Sequence, residues 1–186
     1  MYYGIQSFFQ LLPTEIDHPD KHSDSYYLPC IYIRDYPQME YRGILIDVCR
    51  HFFSVDEIKK QIAIMGSLKL NKLHLHLTDN QGWRIEIKKY PELINSSAIA
   101  ETYNGEKYGP YYYTQDDIRE IISYANLHHI EVIPEIEFPG HSYQLWSLFL
   151  IFLVRADRSK VNRFLVSKRM YFVSGMKMYI LSCKMS

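Results

Sequence analysis

Two amphipathic segments separate three short apolar runs in this chain, and that alternation confines it to a parallel sheet. The runs are RGILIDV (42–48), NKLHLHLTD (71–79) and EVIPEIE (131–137). Between the first two lies SVDEIKKQIAIMGSL (54–68). Ser54 is a candidate N-cap, Glu57 sits where a capping box needs it, and Ile58, Ile62 and Met65 fall on one helical face. TQDDIREIISYANLHH (114–129) precedes the third run, with Thr114 as cap and Asp117 at the box position. Parallel neighbours need long crossovers, and helices of this length supply them. RGILIDV reads as a strand buried on both faces. The pattern predicts an α/β fold, either a barrel or a covered open sheet. No Gly-rich phosphate loop follows the first strand, and the sequence shows no internal repeat.

The flanks are less regular. The first dozen residues, YYGIQSFFQLLP after Met1, read as the end of an amphipathic helix stopped by Pro13. Residues 14–40 read as a polar connection with one short strand near CIYI (30–33). Net charge is zero, so composition points to no nucleic-acid partner. That zero hides a division. Residues 150–186 carry eight Lys/Arg against the single acid Asp157, a net of +7, which leaves −7 on the first 149. The three cysteines, Cys30, Cys49 and Cys183, are odd in number and lack metal-type spacing, so free thiols are expected. LWSLFLIFLV (145–154) is too short to span a bilayer, and no membrane partner is expected. No basic segment or cleavage pattern of a signal peptide follows Met1.

The strand ends carry the chemistry. The carboxyl ends of the three runs hold Asp47 with Arg50 and His51, then Asp79, then Glu137 with His141. Active sites of α/β barrels lie at that end. Each residue also has a plain structural reading. Asp47 can simply pair with Arg50, His74 and His76 can be satisfied core histidines, and Trp83 and Arg84 can be surface packing. A metal-dependent hydrolase is the weaker alternative, with His74, His76, Asp79 and His141 as ligands. It is disfavoured because no further ligands arrive on later strands.

YRGILIDVCRHFFSVDEIKKQIAIMGSLKLNKLHLHLTDNQGWRIEIKKYPEL and YYTQDDIREIISYANLHHIEVIPEIEFPGH closely resemble glycoside hydrolase family 20, the β-N-acetylhexosaminidases. The resemblance covers residues 1 to about 147. It implies a (β/α)8 TIM barrel, of which this chain holds about the first three βα units. Residues 1–16 would be the remnant of a preceding α/β domain, 17–40 a connection, 41–149 the N-terminal part of the barrel, and 150–186 an unrelated basic tail. It implies cleavage of terminal N-acetylhexosamine from a glycan, with no cofactor and no metal. Arg42 would bind the sugar hydroxyls. Asp79, Glu137 and His141 would form a network supporting the acid. Departures from the family pattern are Glu137 for a frequent Asp, Cys49 for Ser, Ser54 for Pro and Asn80 for Asp.

Members of the family use an adjacent Asp-Glu at the end of the fourth strand. Here that dipeptide occurs only as Asp56-Glu57, on the first helix, and no glutamate follows residue 150. The chain is therefore expected to lack the catalytic pair and to leave sheet edges open. The tail suggests a cause. A family-like segment Lys-Asp-Val-Phe-Cys-Val-Gly-Asn-Glu-Asn-Val-Tyr, read one nucleotide late in one permissible coding, gives RMYFVSGMKMYI, residues 169–180. Sequencing the DNA across codons 140–186 is expected to show a neighbouring frame that spells a family-like continuation with Gly-Asp-Glu; a frame without it refutes the shift.

Overall fold

The computed structural model describes residues 1–13, 25–97, 100–101, 107–138, 140–142 and 145. The expected tail, 150–186, and its RMYFVSGMKMYI segment lie outside them. Helix α1 (Tyr2–Phe9) opens the chain, followed by strand β1 (Gly43–Asp47), helix α2 (Val55–Ser67) and strand β2 (Lys72–His76). Strands β3 (Thr78–Asp79) and β4 (Gly82–Trp83) form a small antiparallel pair. Helix α3 (Glu92–Ser97) leads to a second such pair, β5 (Ala100–Glu101) with β6 (Lys107–Tyr108). Helix α4 (Gln115–Leu127) and strand β7 (Glu131–Glu135) follow. β1, β2 and β7 form one parallel sheet in that order. Its register sets Asp47, His76 and Glu135 side by side at the carboxyl end.

Both long helices begin as the sequence predicts. The Ser54 hydroxyl accepts from the Glu57 N–H, and the Glu57 carboxylate accepts from the Ser54 N–H at 2.7 Å. Thr114 and Asp117 repeat the box at 3.1 and 2.8 Å. Each box satisfies donors that a helix start leaves open, and a lost cap costs about 0.5–2 kcal/mol. Ile58, Ile62 and Met65 of α2 and Ile121 and Ala125 of α4 are buried. They pack with Leu73 and Leu75 of the middle strand, and with Leu77 just after it, in one core.

The two helical returns are copies of each other, although the sequence shows no repeat. Leu68 and His128 are the C-caps, sixty residues apart like the N-caps Ser54 and Thr114. Lys69 and His129 then take left-handed conformations, at φ 60° and 56°. The N–H of Leu70 donates to Met65 O and that of Ile130 to Ala125 O, both at 2.9 Å. These bonds close the last helical turn and aim the chain into the next strand.

Two expectations need correction. β1 is not buried on both faces: Gly43, Ile44 and Leu45 are exposed. The helices cover one face of the sheet, and among the described residues β1 has a strand partner only in β2. CIYI forms no strand either. Residues 25–37 are irregular, Ile31 and Ile33 are exposed, and no described strand lies beside them to take their backbone hydrogen bonds.

α1 buries no residue, yet it is docked by polar and aromatic contacts. Tyr2 Oη lies 2.9 Å from His128 Nδ1, Gln10 donates to Ser67 O, and Lys69 Nζ donates to Ser7 Oγ at 2.7 Å. Gly66 permits the approach, since a Cβ there would stand 2.5 Å from Tyr2 Oη and 2.8 Å from His128 Nδ1. Burial pushes the His128 pKa below its ordinary 6.5. The unfolded chain therefore binds more protons than the folded one just below that value. Stability is present above about pH 6.5 and falls as pH drops through the lowered folded value. His128→Asn is expected to shrink this acid loss in thermal melts from pH 7.5 to 5; an unchanged pH dependence counts against it.

Candidate active site

The carboxyl ends of the parallel strands gather the ionisable groups that the sequence places there. Register brings His76 between its neighbours on β1 and β7, and the next few residues of each strand add the rest. His76 and Asp79 are buried, at 5% and 1% exposure. His76 Nδ1 faces Asp47 Oδ1 at 3.4 Å, while Nε2 lies 3.5 Å from Glu137 Oε2 and 3.9 Å from Asp79 Oδ2. His141 Nδ1 sits 3.2 Å from Asp79 Oδ1. The Glu137 N–H donates to Thr78 Oγ1 at 3.0 Å, which ties the end of β7 to β3. His141 holds a left-handed φ of 47°. His74, two residues before His76 on the same face, pairs with Glu135 at 2.7 Å.

Asp47 organises the turn after β1. Its Oδ1 accepts from the N–H groups of Cys49 and Arg50 at 2.9 and 3.3 Å. Its Oδ2 pairs with the Arg50 guanidinium, which also pairs with Asp79 Oδ2. Burial works to raise the Asp47 pKa, but the hydrogen bonds from the Arg50 side chain and from the Cys49 and Arg50 backbone outweigh it, so the carboxyl ends below its usual value. Burial, with the Asp47 charge, pushes the Cys49 thiol up to about 12. That thiol donates to His76 O and is inert as a nucleophile.

Arg84 and Trp83 are not surface packing. They are 1% and 4% exposed. Arg84 donates to Cys49 O at 3.0 Å and to Tyr111 O at 2.9 Å. Trp83 Nε1 donates to Ile85 O. The long excursion after β2 is thus clamped onto the turn after β1.

Asp79, Glu137 and His141 are brought together; Arg42 is not. Arg42 precedes β1 and so lies at the amino end of the sheet, roughly 16 Å of strand from Asp47. Its guanidinium donates to Lys69 O at 2.9 Å and Met39 O at 2.7 Å. The guanidinium at the site belongs to Arg50, whose side chain is 47% exposed. Sequence reading placed Arg50 at this end but gave it no role beyond a partner for Asp47. Asp56-Glu57 lies in the first turn of α2, with Glu57 consumed by the cap.

Among the described residues three triplets have donor atoms within 4.8 Å of one another: Asp47–Cys49–His76, His76–Glu135–Glu137 and Asp79–Glu137–His141. The first is weak because its thiol resists ionisation. The arrangement as a whole is an acid–imidazole network of ion pairs and hydrogen bonds with the Arg50 guanidinium fixed at its edge, suited to orienting a polar ligand and tuning a neighbouring acid.

Known proteins resemble both the sequence and the fold. The model of the glycosyl hydrolase family 20 catalytic domain matches residues 39–172. A beta-hexosaminidase of Porphyromonas gingivalis is 46% identical over 76% of this chain, which covers 18% of the relative. An N,N'-diacetylchitobiase of Vibrio harveyi is 38% identical over 76% of the chain and 17% of its own length. The chain thus spans about a fifth of these curated relatives. A family 20 exo beta-N-acetylglucosaminidase structure from Vibrio harveyi, in complex with N-acetylglucosamine, superposes with TM-score 0.68 at 34% identity, over 77% of this chain and 23% of that one. The family 20 beta-N-acetylhexosaminidase of Streptomyces coelicolor gives 0.67 at 39%, over 77% and 28%. A family match across more than two thirds of the sequence, joined to superpositions on family 20 structures at 34% and 39% identity, makes the chain a member of glycosyl hydrolase family 20.

Proposed function

We propose that β1, β2 and β7 with their helices are the first three units of an eight-stranded barrel, and that they supply the floor of a β-N-acetylhexosaminidase pocket. The observation that carries this is the convergence of ionisable groups from three successive parallel strands at one end. The reaction would be substrate-assisted, outside the two-carboxylate scheme. The sugar's acetamido oxygen attacks the anomeric carbon while an acid protonates the departing glycosidic oxygen. Asp79 and His141, joined at 3.2 Å, and Glu137 would hold and tune that acid rather than serve as it. The acid and the acetamido-orienting Asp are the adjacent pair that this sequence lacks outside α2.

Arg50 is the guanidinium this reading assigns to the sugar hydroxyls, the role that the resemblance gave to Arg42. Two carboxylates fix it, it is half exposed, and its planar fork suits vicinal oxygens. Arg42 spends its donors on backbone carbonyls at the far end. Ligand-observed NMR of the full chain is expected to show N-acetylglucosamine binding that glucose does not match. Arg50→Ala should abolish it and Arg42→Lys should keep it; the reverse pattern overturns the assignment. The missing pair favours one second reading, a fragment that binds the sugar without turning it over.

A further inference from the structure

We propose that the carboxyl end of β2 and β7, with the residues just past β7, carries a site for a divalent transition ion, held by His76 Nε2 and the carboxylates of Glu135 and Glu137. The three residues offer donor atoms mutually within 4.8 Å. His76 is 5% exposed, and its Nε2 has no hydrogen-bond partner. That nitrogen is aimed at Glu137 Oε2, 3.5 Å away, which is itself buried without a hydrogen bond. The two atoms face each other as a long ion pair without a hydrogen bond, a separation that a shared cation between them would fill.

The surroundings complete the pattern. The other nitrogen of His76 faces the Asp47 carboxylate at 3.4 Å, the arrangement that fixes a ligating imidazole and raises its basicity. Asp47 is in turn held by the Cys49 and Arg50 N–H groups. Glu135 is oriented by His74 at 2.7 Å. Charge favours occupancy as well: Asp47, Asp79, Glu135 and Glu137 converge there, while Arg50 is the cation paired with the first two. The nearby triplet of Asp79, Glu137 and His141 is the poorer choice, because Asp79 is already committed to Arg50 and His141. One nitrogen and two carboxylates suit Zn²⁺ and its neighbours rather than Mg²⁺ or Ca²⁺, which prefer all-oxygen shells.

The site shares Glu137 with the sugar-hydrolase reading, but metal binding is read on this chain without any turnover, so the two can fail separately. The experiment is calorimetric titration of the full chain with ZnCl₂, in parallel with MgCl₂. One equivalent of Zn²⁺ should bind and Mg²⁺ should not. His76→Gln and Glu137→Gln should remove that equivalent, and Asp47→Asn should weaken it about 10–100-fold. Circular dichroism checks each variant; if His76→Gln fails to fold, Glu135→Gln carries the decision. No Zn²⁺ binding, binding unchanged by these substitutions, or equal binding of Mg²⁺ overturns the proposal.

Discussion

Purified alone, this chain is expected to release no measurable chromophore from an aryl N-acetyl-β-hexosaminide. Among the described residues the acids at the proposed pocket are all engaged, Asp47 and Asp79 with Arg50, Glu135 with His74 and Glu137 with His76. None of them belongs to an adjacent Asp-Glu pair, and the one such pair in the sequence closes a helix cap. General-acid catalysis contributes roughly 10²–10⁴ in rate, and charge stabilisation at the reacting centre about 10²–10³. Losing both should leave the chain at least about 10⁴-fold below an intact relative assayed alongside it. Turnover at the relative's pace, from protein free of contaminating hydrolase, would sink the reading of the site as a floor without its acid.

The second large effect lies in the core. Leu75 is fully buried on the middle strand, between β1 and β7 and among the core side chains of α2 and α4. Leu75→Ala removes its methyl groups from a place that neighbours on both sides hold rigid. Such truncations cost about 2–5 kcal/mol. Small domains are stable by only about 5–15 kcal/mol. The described core rests on two helices and three strands, so this substitution should move the urea midpoint sharply or abolish the transition. Leu68→Ala, at a helix end where the residue is 60% exposed, is the control and should stay within about 0.5 kcal/mol. Equal shifts for the two variants would mean that the core assignment is wrong.

Much of this was legible because it is local. Ser54 with Glu57 and Thr114 with Asp117 announce their helices through contacts three residues apart, and the buried stripe of α2 follows from the same spacing. The acid-bearing ends of three runs were legible because parallel strands all finish on one side. The arginines follow that rule too, though the resemblance drew attention elsewhere. A residue just before a parallel strand, like Arg42, lies at its amino end, and one three residues past it, like Arg50, lies at its carboxyl end. Other features depend on partners distant in sequence. Burial of Arg84 needs carbonyls from Cys49 and Tyr111, and docking of α1 needs Gly66 and His128. CIYI has a strand's composition without a neighbour to pair with, and composition cannot supply one.

The paired returns at Lys69 and His129 also bear on how this molecule can vary. One residue gained or lost in either return would slide the following strand by a single step and turn every side chain to the opposite face. For the return at Lys69, His76 would then point among the leucines and Leu75 toward the acids. Insertions and deletions in these two amino-end returns should therefore be costly, while the opposite rim already accommodates the described residues between Leu77 and Tyr113. Diversification among relatives should accumulate on that one side, where added loops reshape what can enter without disturbing the strands beneath.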